Sequence, residues 1–254
     1  MLSIDRILSK LDEHLNRNDY AAAEQHLSYW MGEARLQGDE RALLFLCNEC
    51  IGLYRKLGQK EKALHFCQTA LAQIEAMGIG ENIGAATTYL NTATAYKAFG
   101  KAKEAIPLFE RAEEIYRKNL PPQDPRWGGL YNNMALALVD HDRFEMAKDC
   151  YQKALAITQA NDTKPEQAVT HLNLASAAER EFGLEAGEKE IALRIGLAWD
   201  LLNDPSLVRD GNYAFVCEKC APTFRYYGYF IYANQLEERA KEIYEGNGTG
   251  ESLL

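Results

Sequence analysis

Apolar and small residues recur along this chain at spacings of three and four, the period of one helix face, and the whole pattern returns after 40–42 residues. Tyr89, Thr92, Ala93, Tyr96, Ala105, Phe109 and Ala112 reappear as Tyr131, Met134, Ala135, Leu138, Ala147, Tyr151 and Ala154. Every member moves by 42. Upstream, Cys47, Cys50, Ile51, Tyr54, Ala63, Cys67 and Ala70 join at the same step; downstream, His171, Leu174, Ala175, Ala178, Gly187 and Ile191 follow at 40. A fifth copy, Cys217, Cys220, Ala221, Phe224, Ala233 and Ala240, runs across Pro222. Self-similarity at this period predicts an all-α chain of stacked helical hairpins, each burying its apolar face against its neighbours.

In each unit a first helix is followed by a short turn, Leu57-Gly58-Gln59, Phe99-Gly100-Lys101 or His141-Asp142-Arg143, and then by a second helix. The second helix places Ala63, Ala105 or Ala147 where the two axes cross, because a small side chain lets helices approach to about 8–10 Å. The predicted organisation is a degenerate N-terminal pair over 1–38 and five units over 39–80, 81–122, 123–163, 164–203 and 204–245. A disordered tail is expected over 246–254. Five of the seven prolines, Pro121, Pro122, Pro125, Pro165 and Pro205, fall between units, where a residue without an N–H is tolerated. Asp124-Pro125 and Asp204-Pro205 have the form of a cap followed by a first turn. Pro107 sits early in a second helix, and Pro222 predicts a kink.

The order aromatic, apolar-small, aromatic, then Ala and a second aromatic resembles the tetratricopeptide signature, with a unit of 42 residues in place of 34. Within that superfamily the repeat is most similar to the kinesin-light-chain type. Tyr131-Asn132-Asn133-Met134-Ala135-Leu136-Ala137 looks like that subfamily's first helix, and Ala105-Ile106-Pro107-Leu108-Phe109-Glu110-Arg111-Ala112 like its second. Asp124-Pro125 sits where its interhelical loop carries the same pair. The resemblance is strong over 81–160 and implies a right-handed superhelical solenoid of antiparallel helix pairs, whose first helices line a concave groove for peptide segments of other proteins. It carries over the repeat type alone, since no heptad segment suited to a coiled-coil stalk occurs.

Charge narrows the partner. A net charge of −9 opposes general nucleic-acid binding, which draws its affinity from neutralising phosphates. No stretch approaches the ~20 apolar residues of a membrane span, and charges at Asp5 and Arg6 interrupt the place of a signal-peptide core. A cytoplasmic protein with reduced cysteines is expected.

Asn91, Asn133 and Asn173 recur at one place on successive first helices, each directly before the core pair, with Asn48 and Asn132 one residue earlier. A carboxamide carries both donor and acceptor, which suits the main chain of an extended peptide. In the family that this chain resembles, asparagines at this place contact bound peptide. The other reading is that these side chains bond neighbouring repeats and hold their stagger. Arg55, Lys56, Lys97, Arg180, Lys219, Arg225 and Tyr226 project to the same face, against Glu49, Asp140, Glu179 and Glu218. Such a face is either locally positive, favouring an acidic peptide or a free C-terminal carboxylate, or a solvated surface of mixed charge.

Two C-x2-C pairs, Cys47/Cys50 and Cys217/Cys220, raise the question of zinc, but both occupy inward columns of the repeat and lie too far apart for one tetrahedral site. His171 shares a column with Tyr89 and Tyr131, which makes it a core residue. No phosphate loop, nucleophile elbow or metal-spaced carboxylate pair appears, so neither catalysis nor a cofactor is expected. The aromatic run Phe224, Tyr226, Tyr227, Tyr229, Phe230 and Tyr232 either caps the array or offers a surface for a homodimer. The function expected is a peptide- or protein-binding adaptor; the alternative is a regulator whose superhelix responds to a small signalling peptide.

Overall fold

The computed structural model describes residues 2–248. Among them are twelve α-helices and no strand. In chain order they are α1 Ile4–Asn16, α2 Tyr20–Leu36, α3 Glu40–Lys56, α4 Lys60–Met77, α5 Ile83–Ala98 and α6 Ala102–Asn119. There follow α7 Arg126–Asp140, α8 Phe144–Ala160, α9 Lys164–Phe182, α10 Leu184–Leu202, α11 Gly211–Tyr226 and α12 Phe230–Gly248. Each odd-numbered helix packs on the next to form a hairpin. The contacts divide the chain into two compact units, Met1–Pro122 with α1–α6 and Gln123–Leu254 with α7–α12.

The small-residue column sets the hairpin geometry. Ala23, Ala63, Ala105, Ala147 and Ala233 are all buried to within 1%. Gly187 takes this position in the α9–α10 hairpin, and a Cβ added there would stand 3.3 Å from the Ala178 carbonyl oxygen, so this crossing is the tight one. Bulk follows four residues later: Leu27, Cys67, Phe109 and Tyr151 have almost no exposed surface. The interval from first-helix core to second-helix crossing never varies: Cys47 to Ala63, Tyr89 to Ala105, Tyr131 to Ala147, His171 to Gly187 and Cys217 to Ala233 are each sixteen residues. Chain length varies only between hairpins.

Turn chemistry follows from backbone sterics. Gly58 and Gly100 adopt φ of 67° and 76°, the left-handed region in which a Cβ is disfavoured. Asp142 fills the corresponding place at φ 56°, tolerated because a short polar side chain can bond locally. At the α9–α10 junction the same register position is Phe182, which stays helical, and the reversal is made one residue later by Gly183 at φ 81°. N-termini are capped by Asp19 onto the Ala22 amide, Asp39 onto Ala42, Asn82 onto Ala85 and Asp210 onto Tyr213, at 2.8–3.1 Å.

Two expectations are corrected here. Asp204-Pro205 does not begin a helix: the Asp204 carboxylate turns onto the Ser206 amide at 2.8 Å and onto Lys164 at 3.0 Å, and α11 starts six residues later behind Asp210. The loop is long because the fifth copy follows the fourth by 46 residues, as His171 and Cys217 show. Of the tail expected at 246–254, the part up to Gly248 continues α12, and 249–254 lie outside the described residues. Pro222 lies inside α11 on its exposed side, where the backbone acceptor it leaves unmatched can reach water.

The C-terminal aromatics are largely used within the second unit. Trp199 stacks on Tyr232 at 3.8 Å between centroids, and Phe224 meets both edge-on at 6.0 Å. Tyr226 and Phe230 remain exposed.

Candidate functional site

The asparagine row lies on the first helices of both units, half-buried at every position. In the first unit Asn91 on α5 donates through Nδ2 to the Asn48 Oδ1 on α3, at 2.9 Å. Asn48 in turn donates to the Leu44 carbonyl of its own helix and to the Thr88 hydroxyl of α5, each at 2.9 Å. In the second unit Asn173 on α9 donates to the Asn132 Oδ1 on α7, at 3.0 Å. The rule is the same twice over: an asparagine at the later column reaches back to one at the earlier column of the preceding hairpin. These four side chains tie adjacent repeats together. Each still has unused donor or acceptor capacity, since a carboxamide offers two N–H groups and two acceptor sites on its oxygen.

Asn133 differs. Its side chain has no hydrogen-bond partner among the described residues. Asn133 therefore presents a complete carboxamide beside the buried Met134 and Ala135.

The cations of this face separate into groups. Arg55 and Lys219 are exposed, while Lys97 is half-buried. Arg180 stands 3.5 Å from Asp142, with both side chains more than half exposed, a pairing worth little in water. Arg225 is taken up within its own hairpin, donating to Asn234 at 2.9 Å and to Glu237 at 2.7 Å on α12. The Lys56 ammonium lies 5.2 Å from the centre of the Tyr20 ring. Among the anions, Glu179 accepts from the hydroxyls of Tyr226 and Tyr227, each at 2.6 Å, and so clamps α11 onto α9. Burial, with Asp12 nearby, pushes the Glu49 carboxyl above the ordinary range. Sequence reading missed Thr88 as the third member of the Asn48–Asn91 network; its only signal is a polar residue, matched by Thr170, in a column that Leu46, Leu130 and Val216 otherwise fill.

All six cysteines are buried. Burial pushes the thiols of Cys47 and Cys67 up to about 11 and that of Cys220 up to about 12, so none of these is a thiolate at neutral pH. Cys47 and Cys50 belong to the first unit, Cys217 and Cys220 to the second. A thiol-specific reagent such as Ellman's should leave all six unreacted in the native protein and titrate six after denaturation. Rapid native labelling of any one would contradict its placement in the core.

His171 is buried at the α9–α10 crossing, and its Nδ1 lies 3.3 Å from Arg194 Nη1. Desolvation, reinforced by the neighbouring guanidinium, lowers its pKa to about 4, so the ring is neutral and accepts from the arginine. No helix among the described residues is long and apolar enough to cross a membrane.

Comparison with known proteins agrees with this architecture. Tetratricopeptide-repeat family models match residues 51–118 and 127–160. No curated protein matches the chain. Among solved structures, BtubC (BKLC) from P. vanneervenii is similar with a TM-score of 0.56 at 18% identity, covering 94% of each chain. A putative kinesin light chain from Podosopora anserina with nearly identical TPR-like repeats gives 0.55 at 18% identity, over 82% of this chain and 97% of its own.

Proposed function

The chain is a tetratricopeptide-repeat protein that shares its fold with kinesin-light-chain repeats, and from that premise we propose that it captures an extended peptide segment of a partner protein on its first-helix faces. The observation that carries this reading is Asn133. A half-buried carboxamide with both its donor and its acceptor unfilled, in a row whose other members are engaged, is suited to the main chain of an incoming strand. Main-chain recognition of this kind tolerates many side chains. Selectivity then comes from exposed cations on the first helices, Arg55 on α3 in the first unit and Lys219 on α11 in the second, which favour an acidic segment or a free C-terminal carboxylate.

Asn133 also separates binding from folding. Asn91→Ala removes a bond between repeats and is expected to cost about 1 kcal/mol, which confuses a binding test with a stability change. Asn133→Ala breaks no such bond. Its thermal midpoint should match wild type, while partners recovered from a cell extract with wild-type bait should be lost. Equal recovery by both folded proteins would remove the asparagine row from the binding surface.

A further inference from the structure

We infer that the cleft between α8 and α10 is a second binding site, one that accepts an aromatic side chain flanked by basic residues and presented by a partner protein. It lies within the second unit, on the side formed by second helices, and is separate from the asparagine row.

The cleft exists because one repeat lacks a side chain that the others supply. At the register position of Ala178 the remaining repeats carry Tyr54, Tyr96, Leu138 and Phe224. Where the ring is present, it fills the gap between the second helix of its own hairpin and that of the preceding one. Tyr54 on α3 stacks on Phe66 of α4 at 5.5 Å and donates its hydroxyl to Glu24 of α2 at 2.9 Å. Phe224 on α11 sits between Trp199 of α10 and Tyr232 of α12. On α9 the position is alanine, and the corresponding gap between α8 and α10 stays open as a cleft of about 330 Å³. Its floor is Leu155, Leu174, Ala177 and Ala178. A space of this size holds an aromatic ring with room to spare. The group that fits is therefore defined by the protein's own practice at the same position.

The rim defines what accompanies the ring. Lys148 reaches Glu145 at 2.9 Å and Glu181 at 3.0 Å, and Arg194 reaches Glu190 at 2.7 Å. The cleft itself is lined by two cations and two carboxylates, Glu181 and Glu190, which balance; Glu145, an exposed carboxylate bonded to Lys148 just outside the lining, adds one negative charge near the mouth. Lys148 also lies 5.3 Å from the centre of the exposed Phe182 ring, so the entrance already has an aromatic wall against which a second ring can pack. A partner residue that brings Lys or Arg beside its aromatic side chain matches both floor and rim. This is the opposite charge preference to that proposed for the asparagine face.

The test uses the isotope-labelled full chain and three capped peptides, acetyl-Lys-Phe-Lys-amide, acetyl-Lys-Ala-Lys-amide and acetyl-Glu-Phe-Glu-amide. The first should shift the backbone resonances of Leu174, Ala177, Ala178 and Phe182 in a saturable way, and the other two should bind at least about tenfold more weakly. Ala178→Phe should raise the thermal midpoint by filling the cleft from within and should abolish the response. Ala178→Leu, which copies Leu138, serves the same purpose if the ring is not accommodated. An undiminished response in either filled variant would overturn the proposal. So would equal binding of the alanine peptide, which would indicate surface charge alone, equal binding of the glutamate peptide, or no response to the first peptide at millimolar concentration.

Discussion

Phe109→Ala should destabilise the protein by about 4 kcal/mol, within the range for removing a fully buried aromatic side chain. Phe109 has no exposed surface and stands one turn beyond Ala105, wedged where α6 crosses α5. Its truncation removes transfer energy and leaves a cavity that two crossing helices cannot easily close. One repeat later the same position is Tyr151, equally buried, and its hydroxyl has no hydrogen-bond partner. A polar group taken from water without compensation costs about 1–3 kcal/mol. Tyr151→Phe, which copies Phe109, should therefore raise stability by about 1 kcal/mol. Chemical denaturation of the two variants, monitored by circular dichroism, checks both signs at once. A neutral Phe109→Ala would mean the column is not closely packed, and a destabilising Tyr151→Phe would mean that the hydroxyl is satisfied in solution.

The second large effect concerns pH. An unfolded histidine titrates near 6.5, whereas buried His171 titrates near 4. Between these values the unfolded chain holds a proton that the native state does not, so acidification favours unfolding. Stability is fully present above pH 6.5 and falls progressively toward pH 4, by about 3 kcal/mol in total. His171→Asn keeps an acceptor for Arg194 and removes the titration. The stability difference between pH 7 and pH 4.5 should then shrink by most of that amount relative to wild type. An unchanged pH dependence would assign the acid sensitivity to other groups.

How much of this was legible in the sequence can be judged residue by residue. The columns were legible because helix crossings impose a steric demand that recurs: Ala63, Ala105 and Ala147 are small for one reason, and their spacing exposes it. The placement of His171 among core residues followed from the same column logic. Two features were not legible. Asp204-Pro205 has the composition of a helix start, yet its carboxylate finds Ser206 and Lys164 first; a local competition of that kind depends on Lys164, which is distant in sequence. The engagement of Asn91 with Asn48, and of Asn173 with Asn132, depends on the stagger between neighbouring hairpins. Periodicity says that residues share a face, not which of them meet.

The invariant sixteen-residue interval inside each hairpin, set against variable lengths between hairpins, has an evolutionary consequence. A residue inserted within the first turn of α6, between Ala102 and Ala105, would rotate the helix after it by about 100° and swing Ala105 away from its crossing. The same insertion near Ser206 would only lengthen a loop. Lineages of this protein can therefore change size and acquire new segments at the joints while each hairpin is inherited whole, as a module whose internal ruler is fixed.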